Sequence, residues 1–294
     1  MKLKWAYCCR TSTLYAEVFS VPKKDREALA KNCMLQLFFL LALPLNCFAE
    51  HTAQIPSATN VLQRMMERAT QVARGEKAEK YCYTKKSVTQ ELNSRGETIK
   101  STEKQYEVVL IRGWPFSRLV QVQGQKLSEA EIRNEDQREQ EFREKVAGRD
   151  LKQRRDKKEA WITPELLGRY HFAVISNDVC GDRKAVILEF KPKPNNPEET
   201  VEDRIINRFA GRLWLDDEDA EIARLDVHLT GELSLGWLGM IGSLKECNLT
   251  LQRKRMPEGT WVNTRQTLRI IGRKLFSTMR YRAIEESTDF RTAR

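Results

Sequence analysis

Between residues 221 and 235, apolar and polar side chains take turns. Leu225, Val227, Leu229, Leu233 and Leu235 alternate with Arg224, Asp226, His228, Thr230, Glu232 and Ser234. Successive side chains of an extended strand point to opposite faces. A period of two over about a dozen residues therefore predicts a strand with one buried and one wet face. A sheet that tolerates water on one side is antiparallel. The pattern returns at Cys247, Leu249 and Leu251, with Glu246, Asn248, Thr250 and Gln252 between them.

Further strands are expected at 80–93 and 97–111, joined by Asn93-Ser94-Arg95-Gly96, whose residues tolerate positive φ. The Trp114-Pro115 step should bend the chain before a short strand at 116–123. Strands follow at 170–179, 184–192, 211–216, 260–271 and 275–285, with residues 286–294 as a frayed tail. Residues 58–74 have helical periodicity, with Val61, Leu62, Met65, Met66, Ala69, Val72 and Ala73 on one face. A short helix is expected at 199–209. About ten strands with helices before and among them predict an α+β fold. A sheet of this width curls. The expected form is a large curved antiparallel sheet, an open, unclosed β-barrel with helices on its concave side.

Leu35 to Leu45 reads LQLFFLLALPL. This run is too short for a membrane span, which needs about 20 apolar residues, and suits the apolar core of a secretory signal. Lys23, Lys24, Arg26 and Lys31 precede it, and Cys47-Phe48-Ala49 offers small residues for cleavage after Ala49. The alternatives are a buried core helix or an uncleaved anchor. Residues 1–49 are thus expected to be leader and signal peptide, with a true start at Met1 or further downstream, and residues 50–294 a single periplasmic domain with no integral span.

Residues 128–159 differ in kind, with ten acidic and ten basic residues and few apolar ones (Ile132, Phe142, Val146, Leu151). Ser128 and Glu131 form a capping box, and acids precede bases along the segment, which complements a helix dipole. A long, largely solvated helix is expected, with a docking arm for another protein as the alternative.

The net charge is +10, but seven of the 51 basic residues and three of the 41 acidic ones fall in 1–49, and the remaining surplus is mild. Bases and acids are interspersed, which argues against nucleic-acid binding. Cys82, Cys180 and Cys247 remain beyond the leader, without metal-ligand spacing. Asp216-Asp217-Glu218-Asp219 lacks the spacing of a calcium loop and reads as a wet hairpin turn. No zinc-protease, nucleophile-elbow or P-loop motif occurs. Ser101 and Lys104 match a serine–lysine spacing without its companion motifs. No enzyme activity, cofactor or metal is expected.

The apolar, glycine-punctuated segment Gly236-Trp237-Leu238-Gly239-Met240-Ile241-Gly242 joins two strands. It could close a ligand mouth or simply plug the concave face. With the alternating strand it supplies the candidate ligand-binding residues: Leu225, Val227, Leu229, Leu233, Trp237, Leu238, Met240 and Ile241.

The amphipathic first helix, the run Gly211-Arg212-Leu213-Trp214-Leu215-Asp216 leading into Ile222-Ala223-Arg224-Leu225, and the strand opening Gly259-Thr260-Trp261-Val262 together resemble the periplasmic lipoprotein-carrier (LolA-like) superfamily. They also resemble the uncharacterised bacterial outer-membrane lipoprotein-sorting proteins. The resemblance implies an unclosed barrel lidded by helices, with an apolar cavity for acyl chains. A lipid, an acylated protein or an envelope protein would be the partner. The insert 128–159 departs from a simple carrier. It suggests the alternative of an envelope scaffold or stress-sensing interaction protein acting through that helix.

Overall fold

The computed structural model describes residues 57–73, 81–148, 163–235, 242–274 and 277–293. The expected leader and cleavage point, residues 149–159 of the charged insert and residues 236–241 lie outside them.

Among the described residues, four helices and twelve strands follow one another. They are α1 (Ala58–Ala73), β1 (Tyr81–Leu92), β2 (Thr98–Ile111), β3 (Trp114–Val122), β4 (Gln125–Lys126), α2 (Glu129–Ala147), α3 (Pro164–Gly168), β5 (Tyr170–Cys180) and β6 (Arg183–Pro192). Then come α4 (Val201–Ile206), β7 (Phe209–Asp216), β8 (Ile222–Leu229), β9 (Leu233–Leu235), β10 (Gly242–Arg255), β11 (Trp261–Lys274) and β12 (Ser277–Thr292). All strands join one sheet in the order β4-β3-β2-β1-β12-β11-β10-β8-β7-β6-β5, with β9 also on β10. Every pairing is antiparallel. The end strands β4 and β5 are not hydrogen-bonded to each other, so the expected large open sheet is what forms.

Local chemistry sets the turns. The Asn93 carboxamide oxygen accepts hydrogen bonds from the Arg95 and Glu97 amides at 2.9 and 3.0 Å, and Gly96 takes a φ of 82°. The next hairpin turns one step earlier than expected, because Arg112 and Gly113 both have positive φ (51° and 76°). Two such residues match the twist of the flanking strands. Trp114-Pro115 therefore lies inside β3, with Pro115 opposite Leu110. Proline is tolerated there because the outer neighbour β4 reaches only Gln121 and Val122.

Three further expectations shift. The alternating run breaks into β8 and β9, because the Thr230 amide and hydroxyl both donate to the Arg208 carbonyl (2.7 and 3.0 Å) and bend the chain. The supposed tail is strand: β12 runs on to Thr292 opposite Tyr81, and Phe290 lies 5.1 Å from the Tyr83 ring. The helix at 199–209 shortens to α4, opened by a Thr200–Asp203 capping box. Helix α3 went unforeseen, although Thr163 caps it and Pro164 occupies its first turn, a standard start signal.

Cross-strand partners share a face, so the register can be followed across the sheet. Gly211, Val227, Leu249, Leu268, Ala283 and Thr89 form one row on what is here the inner face. Val61, Leu62 and Met65 of α1 pack on this face in the main core. That core also holds Leu166 and Leu167 of α3, Ile206 of α4, and Val186, Leu188, Phe190, Leu213, Leu215 and Val227 of the strands. Helix α2 takes the opposite side. Its Phe142 and Val146 pack with Val109, Ile111, Trp114 and Phe116, the outward residues of β2 and β3.

Candidate functional site

The inner face changes character part-way across the sheet. One row runs Leu213, Leu225, Leu251, then Gln266, Glu285, Ser87 and Lys104. Apolar side chains on β7, β8 and β10 give way to polar ones at β11. Covered by α1 at one end, the apolar part thins toward the middle: Leu225, Leu229, Leu244, Cys247 and Leu249 pack against the core yet stay half-buried. The result is a partly open greasy strip between a sealed core and a polar border.

At that border Lys85 Nζ lies 3.8 Å from Glu285 Oε1 and 4.9 Å from the Tyr106 ring centre. Both charged side chains are buried. Burial pushes Lys85 below its ordinary value and Glu285 above its own, and their mutual attraction opposes both shifts. Burial also pushes the Cys247 thiol up to about 12, with Glu246 adding to it.

Helix α1 is fastened over the apolar half by charge. Arg64 pairs with Asp217 at 3.6 Å and also donates to its carbonyl. Arg68 Nε donates to Glu221 Oε1 at 2.9 Å, and Arg253 Nη1 of β10 donates to Glu221 Oε2 at 2.8 Å. Glu221 therefore joins helix, hairpin and sheet. The rest of the 216–221 turn is equally engaged. Asp216 accepts from Arg183 and from the amides of Glu218 and Asp219. Asp219 accepts from Arg255 at 2.5 Å and from the Trp261 indole at 2.9 Å. Burial raises the Asp219 carboxyl, but these bonds and the charges of Arg255 and Arg183 outweigh it and hold it below the usual range. The acidic turn is an anchor, and no metal-holding cluster exists among the described residues.

The structure places Leu225, Val227, Leu229 and Leu233 together on the inner face. Val227 and Leu233 are buried, while Leu225 and Leu229 are half-exposed. Trp237, Leu238, Met240 and Ile241 lie outside the described residues. Ser101 and Lys104 face opposite sides of β2, opposite Gln90 and Ser87, so they cannot act together. The described part of the insert is tied down. Glu135 accepts from the Leu119 amide at 3.0 Å, Arg118 donates to Glu139 at 2.7 Å and also pairs with Asp136, and Arg112 caps the Ala147 carbonyl at 2.9 Å. Sequence reasoning missed the α1 anchor. Its signal was present: Arg64 and Arg68 stand four apart on the polar side of α1, matched by five acids between 216 and 221.

An open antiparallel sheet with one apolar, helix-covered face is the class these features define. Among solved structures the chain is similar to a putative outer-membrane lipoprotein-sorting protein domain from Vibrio parahaemolyticus (11% identity, 79% of this chain and 91% of that chain, TM-score 0.34). It is also similar to a LolA-superfamily protein from Nitrosomonas europaea (11%, 79% and 93%, 0.28) and to a chain of the Pseudomonas aeruginosa MucA/MucB complex (10%, 80% and 98%, 0.24). No family model and no curated protein matches the chain. At these TM-scores the function has to be argued from this chain's own side chains.

Proposed function

We propose that the protein is a non-enzymatic carrier that holds an apolar or acylated ligand against its inner face, beneath and beside α1. The observation that supports this most is the half-buried strip Leu225, Leu229, Leu244, Cys247 and Leu249, which adjoins the sealed core. Partly exposed apolar surface beside a covering helix is where an acyl chain gains most by leaving water. Val227 and Leu233 form the floor. The connection carrying Trp237, Leu238, Met240 and Ile241 leaves the sheet at Leu235 and re-enters at Gly242, and in this reading it adds to the ligand's apolar surroundings. The signal-like leader fits work in the periplasm on a lipid or an acylated protein. No described helix is long and apolar enough to cross a membrane.

The test exploits the period of two. Leu229→Glu puts a charge on the inner face, while His228→Glu puts one on the outer face of the same strand. A fluorescent fatty acid should bind the parent and the His228 variant alike. It should bind the Leu229 variant at least about tenfold more weakly, since a buried charge costs well over 1.4 kcal/mol. Equal binding by all three, or none by the parent, overturns the carrier reading.

A further inference from the structure

The outer face of β11 and β12 carries charge that the other described residues leave unbalanced. By register, Arg265, Arg269 and Arg273 of β11 share this face with Arg280 and Arg282 of β12. Arg269 stands directly opposite Arg282. Two carboxylates answer them: Glu286 lies 3.3 Å from Arg265, and Glu246 of β10 lies 3.2 Å from Arg269. Arg273, Arg280 and Arg282 have no carboxylate within ion-pair distance among the described residues. Like charges facing each other across a strand pair destabilise a sheet. An outside anion bridging them reverses that penalty.

We propose that this face docks the protein on an anionic phospholipid surface, with the arginines taking headgroup phosphates. Three observations select this partner. Extended strands spread the guanidinium groups over one face, about 13 Å apart along β11, about 6.6 Å apart on β12 and about 5 Å between opposed residues, which suits a surface of headgroups rather than one ligand. Arginine forks bind phosphate in a bidentate manner. The aromatic residues Trp261 and Tyr281 point to the inner face, so the patch offers no stacking platform for single-stranded nucleic acid. Docking goes beyond the carrier reading and is measured apart from it.

The experiment is cosedimentation of the purified protein with phosphatidylcholine vesicles, with and without a third of phosphatidylglycerol. The parent should bind only the anionic vesicles, less tightly as salt rises. The triple variant Arg273→Gln, Arg280→Gln, Arg282→Gln should partition about 100-fold more weakly, about fivefold per arginine removed. The corresponding triple Arg→Lys variant should keep most of the binding. A melting temperature no lower than the parent's and unchanged fatty-acid affinity in the Gln variant support a separate docking face. Parent-like vesicle binding by the Gln variant overturns it. So does a parent that ignores anionic vesicles while binding inorganic polyphosphate or an oligonucleotide. Arginine-dependent vesicle binding by a parent that takes no fatty acid supports docking while sinking the carrier reading.

Discussion

Glu221→Gln removes the carboxylate that joins α1 to the sheet while keeping its shape. The Glu221 side chain is 10% exposed, and its partners Arg68 and Arg253 are 14% and 18% exposed, so screening by water is slight. The loss falls unevenly. Arg253 still donates to the Ile222 carbonyl at 3.0 Å and to the Trp261 carbonyl at 3.3 Å. Arg68 keeps only Gln71 at 3.4 Å, and its Nη2 is already buried without an acceptor among the described residues. One charge-assisted bond is worth about 1.5–3 kcal/mol, and the amide recovers part of it, so about 2 kcal/mol should be lost, mostly from the docking of α1. With a urea slope of about 2–3 kcal/mol/M, the unfolding midpoint should drop by about 0.7–1 M. A double cycle with Arg68→Met should show coupling of at least about 1 kcal/mol. Loosening α1 should also open the strip beneath it. Cys247, slow toward alkylation at pH 8 while its thiol sits at about 12, should then react faster. A midpoint within about 0.1 M of the parent, with unchanged alkylation, would refute the idea that this carboxylate fastens the helix.

Two other substitutions probe the sheet. Gly211→Ala should destabilise by about 3 kcal/mol by calorimetry, because the new Cβ would sit 2.0 Å from the Asp226 carbonyl oxygen and 2.8 Å from Phe190 Cζ. A loss below about 1 kcal/mol would show that the strands can part there. Lys85→Met should cost about 3 kcal/mol in chemical denaturation by stranding Glu285, whereas Lys85→Met with Glu285→Leu should be near neutral or stabilising. A double variant worse than the single one would mean that the pair itself holds the strands together.

The apolar half of the inner face was legible because burial there is enforced by uninterrupted alternation. In β8 and β10 each leucine is followed by a polar residue, and strand parity alone puts Leu225, Leu249 and Leu251 on one side. The polar half was not. In β12 Glu285 and Glu286 are adjacent, one buried inside and one outside, and nothing in the sequence says which. Only the register against Gln266 and Ser87 decides it. The charged insert was read as mostly solvated, and its apolar quartet was too sparse to show where it would land. Phe142 and Val146 find their partners on β2 and β3, in Val109, Ile111, Trp114 and Phe116. The breaks at Arg112 and Thr230 arise from backbone choices that local composition does not dictate.

Strand β12 lies between β11 and β1, and so joins the four strands made first to the seven made later. Its partner Tyr81 lies over two hundred residues upstream of Thr292. During synthesis the early hairpins must wait, their central edge bare, until this last strand emerges. Contacts of such long sequence separation form slowly. The sheet is thereby kept from sealing until the last of these strands is in place. Deleting β12 would remove the one strand that pairs with both β1 and β11 among the described residues.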